Sequence, residues 1–130
     1  MTRALARFDV AALGHQVRVR VVDGSECVAR AWRARGCGRL QRGEFVHGFF
    51  DPQVRGALGS LFLAESSAHF ECVPHECQHA ALAALRRREG LAIDAPVTLD
   101  GAAEEYVATV AGLLSRRILR GLQTRGIVCR

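Results

Sequence analysis

Residues 72–85 read CVPHECQHAALAAL, and this stretch decides the predicted fold. His75 and His79 are four positions apart, so a helix places both imidazoles on one face, within reach of a single metal ion. Glu76 follows the first His, where its carboxylate can take a proton from metal-bound water. Residues 80–85 are apolar on every side, which predicts a buried helix. The stretch therefore predicts an HExxH metal site on a buried helix.

The limits of this helix are also readable from the sequence. Pro74 is tolerated within the first turn, because the amide that it lacks has no partner inside the helix. The helix is therefore expected to begin near Glu71 or Cys72. Residues 86–88 are all Arg and Gly90 follows, a combination that suits the negative end of the helix dipole and a left-handed cap.

The segments before this helix predict a small sheet. Residues 16–22 alternate between Val and polar side chains, the period of a half-exposed strand, and a short amphipathic helix is expected at 25–32. Residues 45–50 and 60–64 are apolar and are separated by Asp51-Pro52 and two glycines, which predicts two antiparallel strands joined by an irregular turn. We expect an α+β fold with an antiparallel or mixed sheet of three or more strands.

A catalytic zinc ion commonly has three protein ligands and one position left for water, so a third ligand is expected elsewhere. Asp100 predicts the cap of a last helix that carries two candidates, Glu104 and Glu105. Glu104 lies in line with the apolar face of that helix, whereas Glu105 lies on its flank. Periodicity alone slightly favours Glu104.

The HExxH motif, followed on a downstream helix by residues 105–108, Glu-Tyr-Val-Ala, resembles the gluzincin arrangement. Residues 45–120 are similar to minimal gluzincins of the ImmA/IrrE type and to related phage-encoded peptidases. The resemblance implies a zincin-like fold in which His75, His79 and Glu105 bind zinc and Glu76 is the general base for peptide-bond hydrolysis. Such families often have Asp or Asn after the Glu-x-x-Ala, and here Thr109 stands in that position.

Three other interpretations of the motif region remain open. A structural zinc site could use Cys72, His75, Cys77 and His79, although Cys77 lies two residues from each His and so points to the other side of the helix. The domain could instead be a non-catalytic zinc-binding regulatory or interaction module of a mobile element. It could also be a basic nucleic-acid-binding protein with an incidental His pair. The net charge is +5, but the arginines are spread along the chain without interleaved aromatic residues, so nucleic acid is not supported as a partner.

Composition limits the class of protein. A chain of 130 residues predicts one domain, residues 1–130, and 49% hydrophobic with 24% charged residues is the balance of a globular protein. The five cysteines are an odd number, and no apolar leader follows Arg3 and Arg7, so a reducing cytoplasm is expected. No apolar run approaches the length of about 20 residues that spans a bilayer, so no membrane partner is expected. The sequence leaves the oligomeric state open.

Two further expectations concern substrate binding. A peptide or protein substrate could pair with the strand at 60–64 if that strand is an edge of the sheet. An oxyanion would need a hydrogen-bond donor near the zinc ion, and the available side chains are His47, His69, Tyr106 and Arg116.

Overall fold

The computed structural model describes residues 4–34, 48–65 and 71–127. Within them the chain forms four strands and three helices, in the order β1 (Ala4–Ala12), β2 (His15–Val22), α1 (Gly24–Ala34), β3 (Gly48–Pro52), β4 (Gly59–Ala64), α2 (Cys72–Arg88) and α3 (Gly101–Thr124). The strands make one mixed sheet in the order β1-β2-β4-β3. The expected α+β class with a small mixed sheet is confirmed.

The sheet contains two antiparallel pairs joined through one parallel pair. β1 and β2 form a hairpin, β2 pairs in parallel with β4, and β3 pairs with β4 in antiparallel fashion. The parallel connection from β2 to β4 passes through α1 and β3, as parallel strands require a crossover segment. Among the described strands, β1 and β3 are therefore the edges and β4 is central.

Helices cover both faces of the sheet. Because side chains alternate along a strand, one face of β2 and β4 carries Val17, Val19, Val21, Leu61 and Leu63, which pack in the larger core with α2 and α3. The other face carries Val22, Phe62 and Ala64, which pack with α1 and with Phe49 of β3 in a smaller core. All six residues of β4 are buried, as expected for a strand with a neighbour on each side and a helix on each face.

The two long helices begin and end as the sequence predicts. α2 begins at Cys72 with Pro74 in its first turn, ends at Arg88, and is followed by Gly90 with a φ of 69°. α3 is capped by Asp100, whose side chain accepts a hydrogen bond of 2.9 Å from the amide of Ala103. Its apolar stripe of Val107, Val110, Ala111, Leu114 and Ile118 is buried against α2 and the sheet.

Three expectations for the sheet need correction. β1 was not predicted, and β2 begins at His15, one residue before the strand expected at 16–22. The strand expected at 45–50 is β3 at Gly48–Pro52, which includes Asp51 and Pro52, while residues 45–47 lie outside the described part of the chain. The strand at 60–64 was considered as a peptide-binding edge, but β4 is paired on both sides. That role is available to β3 instead.

The close approach of β3 to β4 depends on Gly59. A Cβ atom added at Gly59 would lie 2.2 Å from the backbone oxygen of Asp51, a distance that requires the two strands to separate. Gly59→Ala is therefore expected to lower the free energy of unfolding by about 1–3 kcal/mol or more in a urea titration. Gly112→Ala is the matched control, because it adds the same methyl group to α3 with nothing within 4 Å, and it should stabilise the protein by up to about 1 kcal/mol. Equal stability of the Gly59→Ala variant and the wild type would contradict the register of β3 on β4.

Candidate metal centre

The two histidines and the glutamate of the HExxH motif come together in the first half of α2. The ligand atoms of His75, Glu76 and His79 all lie within 4.8 Å of one another. The two imidazole centroids are 5.2 Å apart, and Nε2 of His75 lies 3.8 Å from Oε1 of Glu76. One cation placed between these side chains can contact all three, so the group can bind a metal ion.

The three side chains differ sharply in burial. Glu76 is 7% exposed, whereas the His75 side chain is 71% exposed and His79 is also exposed. The reason is that α2 packs into the core through Val73, Cys77, Ala80, Ala81 and Ala84, which leaves the His face of the helix toward solvent. The helix is buried as predicted. The imidazoles are not, so only the carboxylate needs a partner because of its burial.

Glu76 lies against the open edge of the sheet. The backbone amide of Phe50 in β3 donates a hydrogen bond to its carboxylate. Burial raises the pKa of Glu76 from 4.5 to about 7, and the Phe50 hydrogen bond opposes that rise. Because amides of an edge strand alternate between the partner strand and the open side, this bond shows that the Phe50 amide points away from β4. The carboxylate therefore joins the metal-binding group to the outer edge of β3 and occupies the Phe50 amide there.

The electrostatic surroundings of His79 favour the form that binds metals. Burial lowers the pKa of His79, and the nearby His75 and the guanidinium of Arg86 lower it further. A metal binds the neutral imidazole, so these neighbours reduce the competition from protons. Arg86, seven residues after His79 on the same face of α2, was predicted only as part of the basic end of the helix and not as a neighbour of the metal-binding group.

The cysteines of α2 do not belong to the group. Cys77 is buried, hydrogen-bonds the Ser115 side chain of α3, and has its pKa raised to about 11, mainly by burial. Burial also raises the pKa of Cys72 to about 11, with a contribution from the charge of Glu76. Neither thiol is among the ligand atoms that lie within 4.8 Å of one another in the group of His75, Glu76 and His79. The arrangement does not support the alternative zinc site formed by two cysteines and two histidines.

The structure does not bring Glu104 or Glu105 to the histidines. Both glutamates are exposed at the start of α3. Their neighbour Tyr106 contacts Arg88 in the last turn of α2, with the guanidinium carbon of Arg88 4.5 Å from the centroid of the Tyr106 ring. The start of α3 therefore lies beside the end of α2. Cys77, which lies between the two histidines in the sequence, instead contacts Ser115 of α3. At 1.5 Å per residue, Ser115 is about 15 Å further along α3 than Glu105. Between residues 106 and 128 the sequence contains no Asp, Glu, His or Cys. Glu105 as the third ligand stays a prediction from the resemblance.

The side chains considered for oxyanion stabilisation are also dispersed. The Tyr106 hydroxyl and Nε2 of His15 share a hydrogen bond of 3.1 Å. This pair lies near the end of α2 that is far from the HExxH motif. Arg116 is exposed on α3. His47 and His69 lie outside the described residues. Neither described candidate is thus placed in the group formed by His75, Glu76 and His79.

Comparison of the chain with protein-family models, with curated proteins and with solved structures gives no match. Among the described residues, no helix combines the length and apolar character that crossing a membrane requires. The features of the chain that bear on its function are therefore the geometry of α2 and of the strand beside it.

Proposed function

We propose that this chain is a zinc-dependent metallopeptidase with a minimal zincin-like site. The observation that supports the proposal most directly is the position of Glu76. Its carboxylate is buried, lies within 4.8 Å of the ligand atoms of both histidines, and bonds the backbone of an edge strand. The proposal thus places a metal site, a general base and a peptide-binding edge next to one another.

The residues present fit zinc by their chemistry. Two imidazoles four positions apart on a helix and one adjacent carboxylate are a donor set that zinc binds, and softer thiolate ligands are missing from the group. When bound, zinc would polarise the substrate carbonyl and make water a better nucleophile at neutral pH. His75 and His79 would hold the ion, and their exposure on the surface of α2 leaves room for a substrate.

Glu76 would move the protons of the reaction. As a carboxylate it can accept a proton from the attacking water and then donate that proton to the leaving amine. The Phe50 amide fixes the orientation of this side chain beside the two histidines.

The edge strand would align the substrate. An extended peptide beside the open side of β3 would pass next to Glu76, and because Glu76 already bonds the Phe50 amide, the peptide would be held there by the outward-facing Phe50 carbonyl oxygen. Pro52 has no amide hydrogen, so main-chain pairing with the substrate would end at this residue. The pairing region is therefore short, and side-chain contacts beyond it would add to selectivity.

Zinc binding is the first requirement of the proposal. We expect the purified protein to bind one zinc ion and, at a zinc concentration about 100 times the Kd, to gain about 2.7 kcal/mol in the free energy of unfolding. His75→Asn and His79→Asn should each remove this gain, as measured by thermal unfolding with and without a chelator. His15→Asn is the matched control, since His15 contacts Tyr106 and lies outside the group. A zinc effect that survives in both motif variants would rule out this site.

A further inference from the structure

A small apolar cavity opens beside the second half of α2. It has a volume of about 130 Å³ and lies between the loop after β3, the last turns of α2 and the segment that follows α2. Its apolar lining residues include Val54, Leu58, Ala83, Leu91 and Ile93, and Arg86 and Arg87 also line it. Cavities of about 150 Å³ with such linings accept molecules the size of benzene, so this space suits one aliphatic side chain. We refer to it as the Val54 cavity.

Exposed apolar side chains concentrate at the mouth of this cavity. Six large hydrophobic residues are exposed in the described part of the chain, and three of them line it: Val54 at 75%, Leu91 at 43% and Ile93 at 38%. Single exposed apolar residues are ordinary, but a group around one opening indicates a binding surface.

The Val54 cavity and the metal-binding group both lie where α2 runs beside β3 and the loop that follows it. β3 and α2 lie side by side in the same direction, which three contacts establish: Gly48 approaches Cys72, the Phe50 amide bonds Glu76, and the Gln53 carbonyl accepts from Arg87. Val54 therefore follows the edge strand directly.

The spacing of residues on α2 gives the distance between the metal-binding group and the cavity. Ala83, which lines the cavity, is one helical turn after His79. Ala83 is about 10 Å along the helix from Glu76, and an extended peptide covers that distance in about three residues. A peptide held at the edge of β3 with its reacting bond at Glu76 would thus present a side chain to the cavity.

Both walls of the cavity are held in place by arginines of α2. The guanidinium of Arg87 donates to the carbonyl oxygens of Gln53, Gly56 and Ala57, which fixes the loop that carries Val54. Nε of Arg86 donates to the carbonyl oxygen of Ala95 at 2.7 Å, which fixes the segment that carries Leu91 and Ile93. The cavity is therefore formed before a ligand binds, which lowers the cost of ordering it.

We infer that the Val54 cavity binds an aliphatic side chain of a peptide substrate, about three residues from the bond that is cleaved. This inference rests on the proposed function, because the proposed reaction sets the position of that bond. It assigns the substrate class as peptides with Leu, Ile, Val or Met at one position, and it makes Val54 a specificity-determining residue. A well-filled apolar pocket of this kind discriminates by about 10- to 200-fold per missing methylene group.

The test uses a library of acetylated and amidated octapeptides of mixed sequence with the zinc-loaded full chain. Cleavage products and peptides retained on the protein are both identified by mass spectrometry. The wild type should prefer Leu, Ile, Val or Met over Ala at one position about three residues from the cleaved bond. Val54→Arg places a cation at the mouth of the cavity and should lower this preference at least about tenfold. Leu5→Arg makes the same type of change at a residue of β1 that is 53% exposed, and the preference should persist there.

The outcomes separate the inference from the proposed function. Cleavage with an aliphatic preference that Val54→Arg does not alter would overturn the inference and leave the peptidase standing. Retention of aliphatic peptides by the wild type but not by Val54→Arg, without any cleavage, would support the cavity as a peptide-binding site and overturn the peptidase. Neither cleavage nor retention would overturn both.

Discussion

Replacing Glu76 by Gln is expected to lower kcat for peptide hydrolysis by about 10²- to 10⁴-fold while the zinc content of the protein stays at the wild-type level. The Gln side chain has the same shape and still offers an oxygen to the Phe50 amide, so the local structure should be preserved. It cannot accept the proton from water, and this is the function that the proposal assigns to Glu76. The measurements are zinc content by elemental analysis and the turnover of a cleaved octapeptide from the library.

Zinc content in this variant also distinguishes the two chemical roles open to Glu76. Its oxygens lie close enough to both imidazoles to act as a ligand. If Glu76→Gln loses zinc, the carboxylate is a ligand and the general base must be another group. If the wild type and Glu76→Gln both hold zinc and neither hydrolyses peptides, the chain is a zinc-binding module without peptidase activity.

Glu105→Gln is the comparison for the third ligand. The start of α3 is far from the histidines in this structure, so we expect this variant to keep its zinc. Loss of zinc from Glu105→Gln would support the assignment by resemblance and would require α3 to move along α2. The comparison is informative because Glu105 is exposed, and its replacement by Gln should change the fold very little.

The sequence was most informative where local rules determine the structure. The start of α2 near Cys72, its end after three arginines, and the Asp100 cap of α3 were all predictable, because capping and helix periodicity depend on neighbouring residues. The proximity of His75, Glu76 and His79 was predictable for the same reason, since four positions make about one turn of a helix.

Features that depend on the packing of distant segments were not predictable in this way. An all-round apolar helix suggested a buried site, but which face of α2 meets the sheet is decided by tertiary contacts, and the imidazoles lie on the other face. The distance between Glu105 and the motif depends on the register of α3 against α2, which the spacing in the sequence does not set. The bond between Glu76 and Phe50 likewise joins two elements that are far apart in the sequence.

β1 is a different case, because its pattern was present in the sequence. Ala6, Phe8, Val10 and Ala12 alternate with exposed residues, as in a half-buried strand. The connection to β2 is a two-residue turn, Leu13-Gly14, in which both residues have positive φ, 48° and 82°. Such turns usually contain Asn or Asp at the first position, so Leu13 gave no turn signal and the hairpin was missed.

The raised pKa of Glu76 also has a consequence for the stability of the metal-free protein. Folding raises this pKa from 4.5 to about 7, so the folded state holds the proton more tightly than the unfolded chain. The stabilisation from this group is complete below about pH 4.5 and is lost as the pH rises to about 7. At 1.36 kcal/mol per pKa unit, the loss is on the order of 3 kcal/mol.

Urea titrations in the presence of a chelator, at intervals between pH 5 and pH 8, measure this loss as a fall in the free energy of unfolding. In Glu76→Gln the contribution of this site should vanish, because an amide does not titrate. The variant should therefore be more stable than the wild type by about 3 kcal/mol at pH 8, and this difference should shrink toward pH 5. Glu105→Gln, an exposed position, is the control, and its stability should depend on pH as that of the wild type does.

If the wild type and Glu76→Gln show the same dependence of stability on pH, the Glu76 carboxylate is not held in a buried position. A general base at the edge of β3, as proposed, would then lose its structural basis, because the arrangement requires the same side chain to be buried and bonded to Phe50.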